Sequence, residues 1–408
     1  MSLDMNVLLL SPGYPPEMPY FTRALAASGA QVLGIGDTPT SSLAPEVRAA
    51  LADYLQVESL WDEDSLVQAV SQWVRGREIG RVECLWEPGM LVAARLREDL
   101  GVPGLTVEQT VPFRDKEEMK RVLDGAGIRT PKHRRCSSVA EVWKAAEEIG
   151  YPLIVKPIAG AGSQDTHRVK DEKEMRTVLT GIGHVPVVSV EEFVDGEEYT
   201  YDTVSVDGEP AYENIAWYRP RPLVARNEEW VSPQVIALRD LESEHLAGGI
   251  AMGRAVLKAL GFEHGFTHME WYRTADGEVV FGEIGARPPG AHQVDQMNYV
   301  GDIDVFDGWA RAVTGQEVGV SAARKYNVAT VYKRARGRGR IARLNGIETL
   351  EQHKDAIVWE NLLPIGAPRR DWRATLVSDG FVMLRHPDLE TTLRIADEVG
   401  ENVVLFAR

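Results

Sequence analysis

The chain has 408 residues, more than one hydrophobic core usually organises, so two or three domains are expected. Hydrophobic residues make up 44% and charged ones 26%, with both signs spread along the chain, as in a water-soluble globular protein. The 61 acidic and 45 basic residues leave a net charge of -16, which argues against a nucleic-acid surface, and no apolar run approaches the ~20 residues of a membrane helix.

Two cysteines, Cys84 and Cys136, supply neither a disulfide framework nor a metal cluster. No basic segment followed by a long apolar one opens the chain, so no export signal is expected. A cytoplasmic location fits, with neither nucleic acid nor membrane as partner; a homodimer is compatible with this composition.

The first hundred residues alternate strand and helix. Asn6–Leu10 reads as a buried strand closed by Ser11-Pro12-Gly13. A helix is expected from about Pro19 to Ser28, stopped by Gly29, then a strand over Gln31–Ile35. Further on come a helix near Ser65–Arg75, a strand near Val82–Trp86 and a helix near Val92–Leu100. This order predicts a doubly wound parallel-sheet domain over residues 1–107. Gly13 lies where such sheets often bind ligand, and it serves equally as a plain turn residue.

Gly101-Val102-Pro103-Gly104 marks a boundary. Beyond it a helix is expected from Lys116 to about Ala126, ended by Gly127 and Thr130-Pro131. Another spans Ser138–Ile149, with Ser138 and Glu141 at capping-box spacing. A strand (Leu153–Val155), a glycine-rich loop, a helix and a β-rich stretch to about Ile284 follow, closed by a helix around Ile303–Val313. From Lys325, strands and a helix (Leu389–Val399) predict a small α/β domain over 323–408. The chain carries no internal repeat.

The segment Phe266–Arg273, Thr274-Ala-Asp-Gly277, Glu278–Ile284 is the most informative. Asp276-Gly277 between two β-rich runs predicts a tight type I′ hairpin. Paired positions then sum to 553 and Glu270 faces Glu283. Facing carboxylates repel, and a hard divalent cation held between them offsets that repulsion. A solvated edge hairpin is the bland alternative. Arg287, four residues past Glu283, adds a guanidinium suited to a transferring phosphoryl group.

Lys156 ends the strand Leu153–Val155 and precedes Ala159-Gly160-Ala161-Gly162-Ser163. Backbone amides of a glycine loop beside a lysine suit phosphate, although this is no Walker A loop. Lys116, in a first helical turn, is unfavourable for the helix dipole unless it meets an anion. Val187–Val194 reads as a strand whose backbone can pair with the edge of adenine, with Glu191 accepting from the amino group. Glu198, in the acidic stretch after it, is placed to hold ribose hydroxyls. Each of these segments also has a plain reading as a turn, a solvated face or an acidic loop.

Taken in order, Lys116 in Asp-Lys-x-x-Met, Lys156 in Val-Lys-Pro, Glu191-Glu192-Phe193-Val194, Gly196-x-Glu198, Glu270 and Glu283-x-x-x-Arg287 resemble the ATP-grasp superfamily. The likeness spans roughly Pro112 to Val313 and is greatest to its carboxylate–amine ligase branch, including L-amino-acid ligases, with biotin-carboxylase-like enzymes more distant. It implies a central two-lobed ATP-grasp fold of mixed α/β and α+β class over 108–322, with a mobile lobe at about 130–198. It further implies that Lys116 and Lys156 contact ATP phosphates under a lid formed by Gly160, Gly162 and Ser163. Adenine would meet Glu191 and the backbone of Glu192 and Val194, and ribose would meet Glu198. Glu270 and Glu283 would bind Mg2+ or Mn2+, and Arg287 would steady an acyl phosphate, with Lys156 and Arg287 as the catalytic pair.

One departure stands out: Gly285 replaces the asparagine usual two residues after the second metal glutamate. His268, opposite Gly285 in the hairpin register, is a candidate to fill that space or to face substrate. Arg219, Arg221 and Arg226 are candidates for holding an anionic substrate; exposed loop arginines are the alternative. Arg334–Arg340 reads as a basic surface turn. The expected activity is ADP-forming ligation of a small carboxylate to an amine, amino-acid ligation included. The rivals are a biotin-carboxylase-like or purine-biosynthesis ligase and, in another class, a nucleotide-binding regulator without turnover.

Overall fold

The computed structural model describes residues 5–158, 166–320 and 323–408. The N-terminal sheet has four parallel strands, Asn6–Leu10, Gln31–Gly36, Asp53–Gln56 and Ile79–Glu83, with the first strand between the second and the fourth. Leu8, Leu9, Val32 and Ile35 are completely buried, because helices cover both faces of the sheet. The strand expected at Val82–Trp86 lies earlier, at Ile79–Glu83: its ladder with the first strand runs out at the Leu9–Glu83 pair, and Glu87-Pro88-Gly89 then forms a single 3-10 turn.

The central sheet is antiparallel. Its order is Val279–Gly285, Gly265–Thr274, Gly196–Val206, Ala216–Arg219, Gln234–Ala237, Asn327–Tyr332, Gly380–His386 and Ile357–Leu362, with Glu209–Asn214 paired to Gly196–Val206. The expected boundary near residue 323 therefore falls within one continuous sheet, where Gln234–Ala237 bonds directly to Val328–Val331. A strand left unpaired at that edge would expose its backbone donors and acceptors, and the C-terminal strands cover it. A separate small sheet joins Arg336–Gly337, Val404–Ala407 and Ile341–Asn345.

A second lobe holds an antiparallel sheet ordered His133–Cys136, Val188–Glu192, Leu153–Pro157, His167–Val169. The helix Val139–Ile149 packs on it. Ser138 caps that helix through the Glu141 amide at 3.3 Å, but the Glu141 carboxylate takes the amide of Ser137 instead of Ser138, so the capping box is only half formed. The helix expected around Ile303–Val313 is the second of two, Gln293–Gly301 and Val305–Val313, separated at Asp302 in the left-handed region (φ 53°) and restarted by the Asp304 cap.

The N-terminal domain docks on the central one through aromatic packing. The Phe21 ring meets Phe306, Trp309 and Phe266 edge-on, with centroids at 4.8, 5.2 and 6.3 Å. Such pairs add about 0.5–1.5 kcal/mol each beyond the area they bury. The arrangement holds the ends of the N-terminal strands against the loop that follows Gly285.

The hairpin differs from expectation in an instructive way. Thr274 pairs with Glu278 across a three-residue loop, with Gly277 alone in the left-handed region (φ 90°), so the tight type I′ turn is not formed. Near the turn the pairs are Arg273–Val279 and Trp271–Phe281, one step away from the expected register. A bulge at Gly282 adds the missing residue and restores Glu270–Glu283 and His268–Gly285. Two deviations cancel, and the glutamates face one another. A Cβ on Gly282 would lie 2.7 Å from the Glu270 carbonyl oxygen. The variant Gly282→Ala is therefore expected to lose about 1–3 kcal/mol of stability, read as a lower urea midpoint with an unchanged slope.

Candidate active site

The helix Lys116–Gly125 starts at the Asp115 cap, whose carboxylate accepts from the amides of Glu117 and Glu118. Lys116 and Lys120 stand four residues apart, hence on one helix face. Lys116 Nζ reaches Glu283 Oε1 at 3.0 Å. Lys120, only 1% exposed, forms an ion pair with Glu191 Oε1. The second Glu191 oxygen meets Lys156 Nζ at 2.8 Å. Period-two alternation puts Lys156, Ser189 and Glu191 on the same face of the second lobe, and Ser189 Oγ donates to Glu191 Oε1 at 2.8 Å. Two ammonium groups thus enclose one buried carboxylate.

The charges act on one another accordingly. Burial opposes ionisation of Glu191, but Lys120 and then Lys156 outweigh it and hold the carboxyl far below the usual range. Glu283 is only partly buried; burial would raise its pKa, but Lys116 and then Lys156 keep it below its ordinary value. Burial would lower Lys156, yet Glu191 and then Glu283 raise it. Lys120 goes the other way, lowered chiefly by burial.

Glu270 and Glu283 are direct cross-strand partners. Around Glu270 Oε1 lie the Tyr218 hydroxyl at 3.4 Å and His268 Nε2 at 3.7 Å. Among the described residues no third histidine, cysteine or carboxylate completes a metal-binding group with them. His268 turns Nδ1 to Asp202 Oδ1 at 2.6 Å and Nε2 toward Glu270. Burial would lower its pKa, but Asp202 and then Glu270 lift it to about 9. Gly285 has its own packing reason: a Cβ there would lie 3.3 Å from Arg287 Cγ, so the arginine chain crosses the space an asparagine would fill.

At the other end of the site, the Glu192 carboxylate is taken up by Arg129 with two contacts of 3.0 Å, and its backbone N–H donates to the Lys132 carbonyl at 2.8 Å. The Val194 carbonyl accepts from Arg221 at 2.9 Å. The buried Val194 amide has no hydrogen-bond partner among the described residues, and a buried unpaired amide is costly. Glu198 pairs with Arg221 at 3.2 Å. Burial and the nearby Glu270 charge nevertheless push its pKa up to about 8. The expected loop of Gly160, Gly162 and Ser163 lies outside the described residues.

The three candidate arginines do not act as one group. Arg221 is not a solvent-exposed loop residue: it sits over the rings of Phe193 and Tyr272, each at 5.0 Å. Arg219 turns toward Gln234 at 3.0 Å and Asp397 at 3.3 Å. Arg219 and Arg221 share a cavity of about 410 Å³ with Glu198, Trp217, Ser232 and Asp397; Arg226, on the short helix Pro222–Asn227, is not part of its lining. Sequence reasoning missed Lys120, Ser189, Asp202 and Glu87. The Lys116–Lys120 spacing was a usable signal for the first; the others emerge only from strand register and domain contact.

Residues 121–294 match the ATP-grasp domain family. That stretch of the chain is an ATP-grasp domain by this match. It is 24% identical over 291 residues to an L-arginine-specific L-amino acid ligase of Bacillus subtilis, covering 69% of each chain. To an uncharacterised protein, y4rH, of Sinorhizobium fredii it is 26% identical over 286 residues, which is 67% of this chain and 58% of that one. A solved L-amino acid ligase from Bacillus licheniformis superposes over the whole of both chains with a TM-score of 0.80 at 20% identity, a likeness of fold.

Two outcomes follow from the lysine–carboxylate cluster. Lys120→Met should cost about 3 kcal/mol of stability by urea unfolding, because a buried pair loses one partner, while Lys120→Arg should retain most of it. His133 bridges Glu117 at 2.7 Å and Asp124 at 3.1 Å. Burial lowers its pKa, but Glu117 outweighs this and raises it overall. Its stabilisation is complete below the unfolded value of about 6.5 and is lost as pH rises through the higher folded value. The urea midpoint should therefore decline from pH 6 to 8, and His133→Gln should flatten that decline.

Proposed function

We propose that the protein is an ATP-dependent, ADP-forming ligase that joins a small carboxylate to an amine, with amino acids as the substrate class. The observation that carries this reading is the facing pair Glu270–Glu283, with Lys116 at 3.0 Å from one member and Lys156 next to the same cluster. Two hard carboxylates in this register fit Mg2+, which takes one or two carboxylates and completes its shell with phosphate oxygens and water. Glu270 and Glu283 would hold it, and when bound it supplies charge neutralisation between neighbouring phosphates.

The chain's own residues then have distinct tasks. Lys116 and Lys156 exchange their carboxylate partners for ATP phosphate oxygens. The Val194 amide and the backbone of Glu192 receive the adenine edge. The Glu191 oxygen beside Lys156 accepts from the adenine amino group, and Glu198 holds the ribose. The substrate carboxylate attacks the γ-phosphorus and ADP departs with the bond's electron pair. The amine then attacks the acyl carbon, phosphate leaves, and the amine's proton goes to solvent or phosphate. Arg287 neutralises the developing phosphate charge, and the remaining contribution is positioning.

The test is ADP release over a matrix of amino acids, small carboxylates and bicarbonate. We expect release that needs both a carboxylate and an amine, falls by about 100-fold or more in Glu270→Gln and in Glu283→Gln, stops on EDTA treatment and returns with magnesium. Release with bicarbonate alone would point to a biotin-carboxylase-like reaction. ATP binding without phosphate release under any condition would make the chain a nucleotide-binding regulator, the alternative that Gly285 keeps open.

A further inference from the structure

We infer that Glu87, on the N-terminal domain, is a positioning residue that holds Arg287 in place for the reaction at the acyl group, a role that rests on the ligase reading given above. Glu87 opens the 3-10 turn Glu87–Gly89 after the last strand of the N-terminal sheet and is only 9% exposed. Its Oε2 accepts from Arg287 Nε at 2.8 Å, and its Oε1 is paired with Arg114. Arg114 directly precedes Asp115, which caps the Lys116 helix. One carboxylate therefore ties together three parts of the site: the N-terminal domain, the helix of Lys116 and the end of the metal hairpin.

The way Arg287 is held bears on what it can do. Nε is committed to Glu87, and Nη1 donates to the Pro288 carbonyl at 3.1 Å. Nη2 has no hydrogen-bond partner among the described residues, so one edge of the guanidinium stays available to an anion. An unrestrained arginine side chain carries about 2 kcal/mol of rotamer entropy. Here Glu87 at one end and the close passage over Gly285 at the other fix its path before any ligand arrives. Two arginines share a single carboxylate, so the cluster retains one net positive charge. The N-terminal domain thereby acts on the reacting group through Arg287 without touching it.

The opposite possibility is that Glu87 is a place-holder, occupying between Arg114 and Arg287 the position a substrate carboxylate would take. The two differ in sign. The experiment uses the full chain as Glu87→Gln, Arg287→Lys and the double variant, with melting midpoints for each; Glu87→Asp, which keeps the charge but shortens the reach, replaces Glu87→Gln if that variant does not fold.

For a positioning residue, Glu87→Gln lowers kcat by about 10- to 100-fold and leaves KM for ATP within about twofold of wild type. Its effect disappears in the Arg287→Lys background. Additive losses in the double variant overturn the inference, as does a lower KM for the carboxylate with kcat intact. A second readout does not depend on turnover. The Arg287 Nε–H resonance in a 1H–15N spectrum, identified by its absence in Arg287→Lys, should shift and exchange faster with solvent in Glu87→Gln. An unchanged resonance overturns the inference even if no substrate is turned over. If instead the wild type releases no ADP with any carboxylate while the resonance moves as expected, the ligase reading falls and the Glu87–Arg287 coupling stands.

Discussion

Two like charges face each other across a hairpin, and much of the surrounding architecture compensates for that. Glu270 and Glu283 occupy opposed positions where repulsion would ordinarily select against a carboxylate pair. Lys116 reaches one of them from a different domain segment, and Lys156 adds its field from the second lobe. The glycine bulge at 282 exists at the one point where the register must change to bring them together. On the proposed reading, this arrangement of negative and matching positive charge would receive a cation and a polyphosphate.

The lysines of the site each meet one of the protein's own carboxylates. Lys116 rests on Glu283, and Lys120 and Lys156 on Glu191. On the proposed reading, binding a nucleotide would exchange these anions for phosphate, which spares the cost of leaving a buried ammonium unpaired. Lys120 is too deeply enclosed to serve as a mobile phosphate ligand; its role is to keep Glu191 ionised and in place, so that Lys156 has a fixed resting position. Close by, His268 stands between Asp202 at 2.6 Å and Glu270 at 3.7 Å, and these two acids raise its pKa against the effect of burial.

The N-terminal domain is more than a cover. Its aromatic contact through Phe21 sets its position, and Glu87 carries that position into the site by way of Arg287 and Arg114. The C-terminal strands extend the central sheet instead of packing as a separate body, and the helix Leu389–Asn402 brings Asp397 to the cavity lined by Arg219. All three parts of the chain therefore bear on a single cleft.

By itself the sequence determined the alternation of strand and helix that makes a parallel N-terminal sheet and the Asp115–Lys116 helix start, and it singled out Lys156, Glu270, Glu283 and Arg287 as candidates. These are local signals: hydrophobic period, caps, turns, and residue types a fixed distance apart. Only the tertiary structure decided which partners those groups meet. The hairpin loop was misread by one residue, yet the glutamates still face, because a bulge whose position no local preference specifies corrects the register. Glu87 and Asp202 gave no signal, since the residues they hold lie 200 and 66 positions away. Contacts of that kind depend on how sheets stack and domains dock, which period and propensity do not encode.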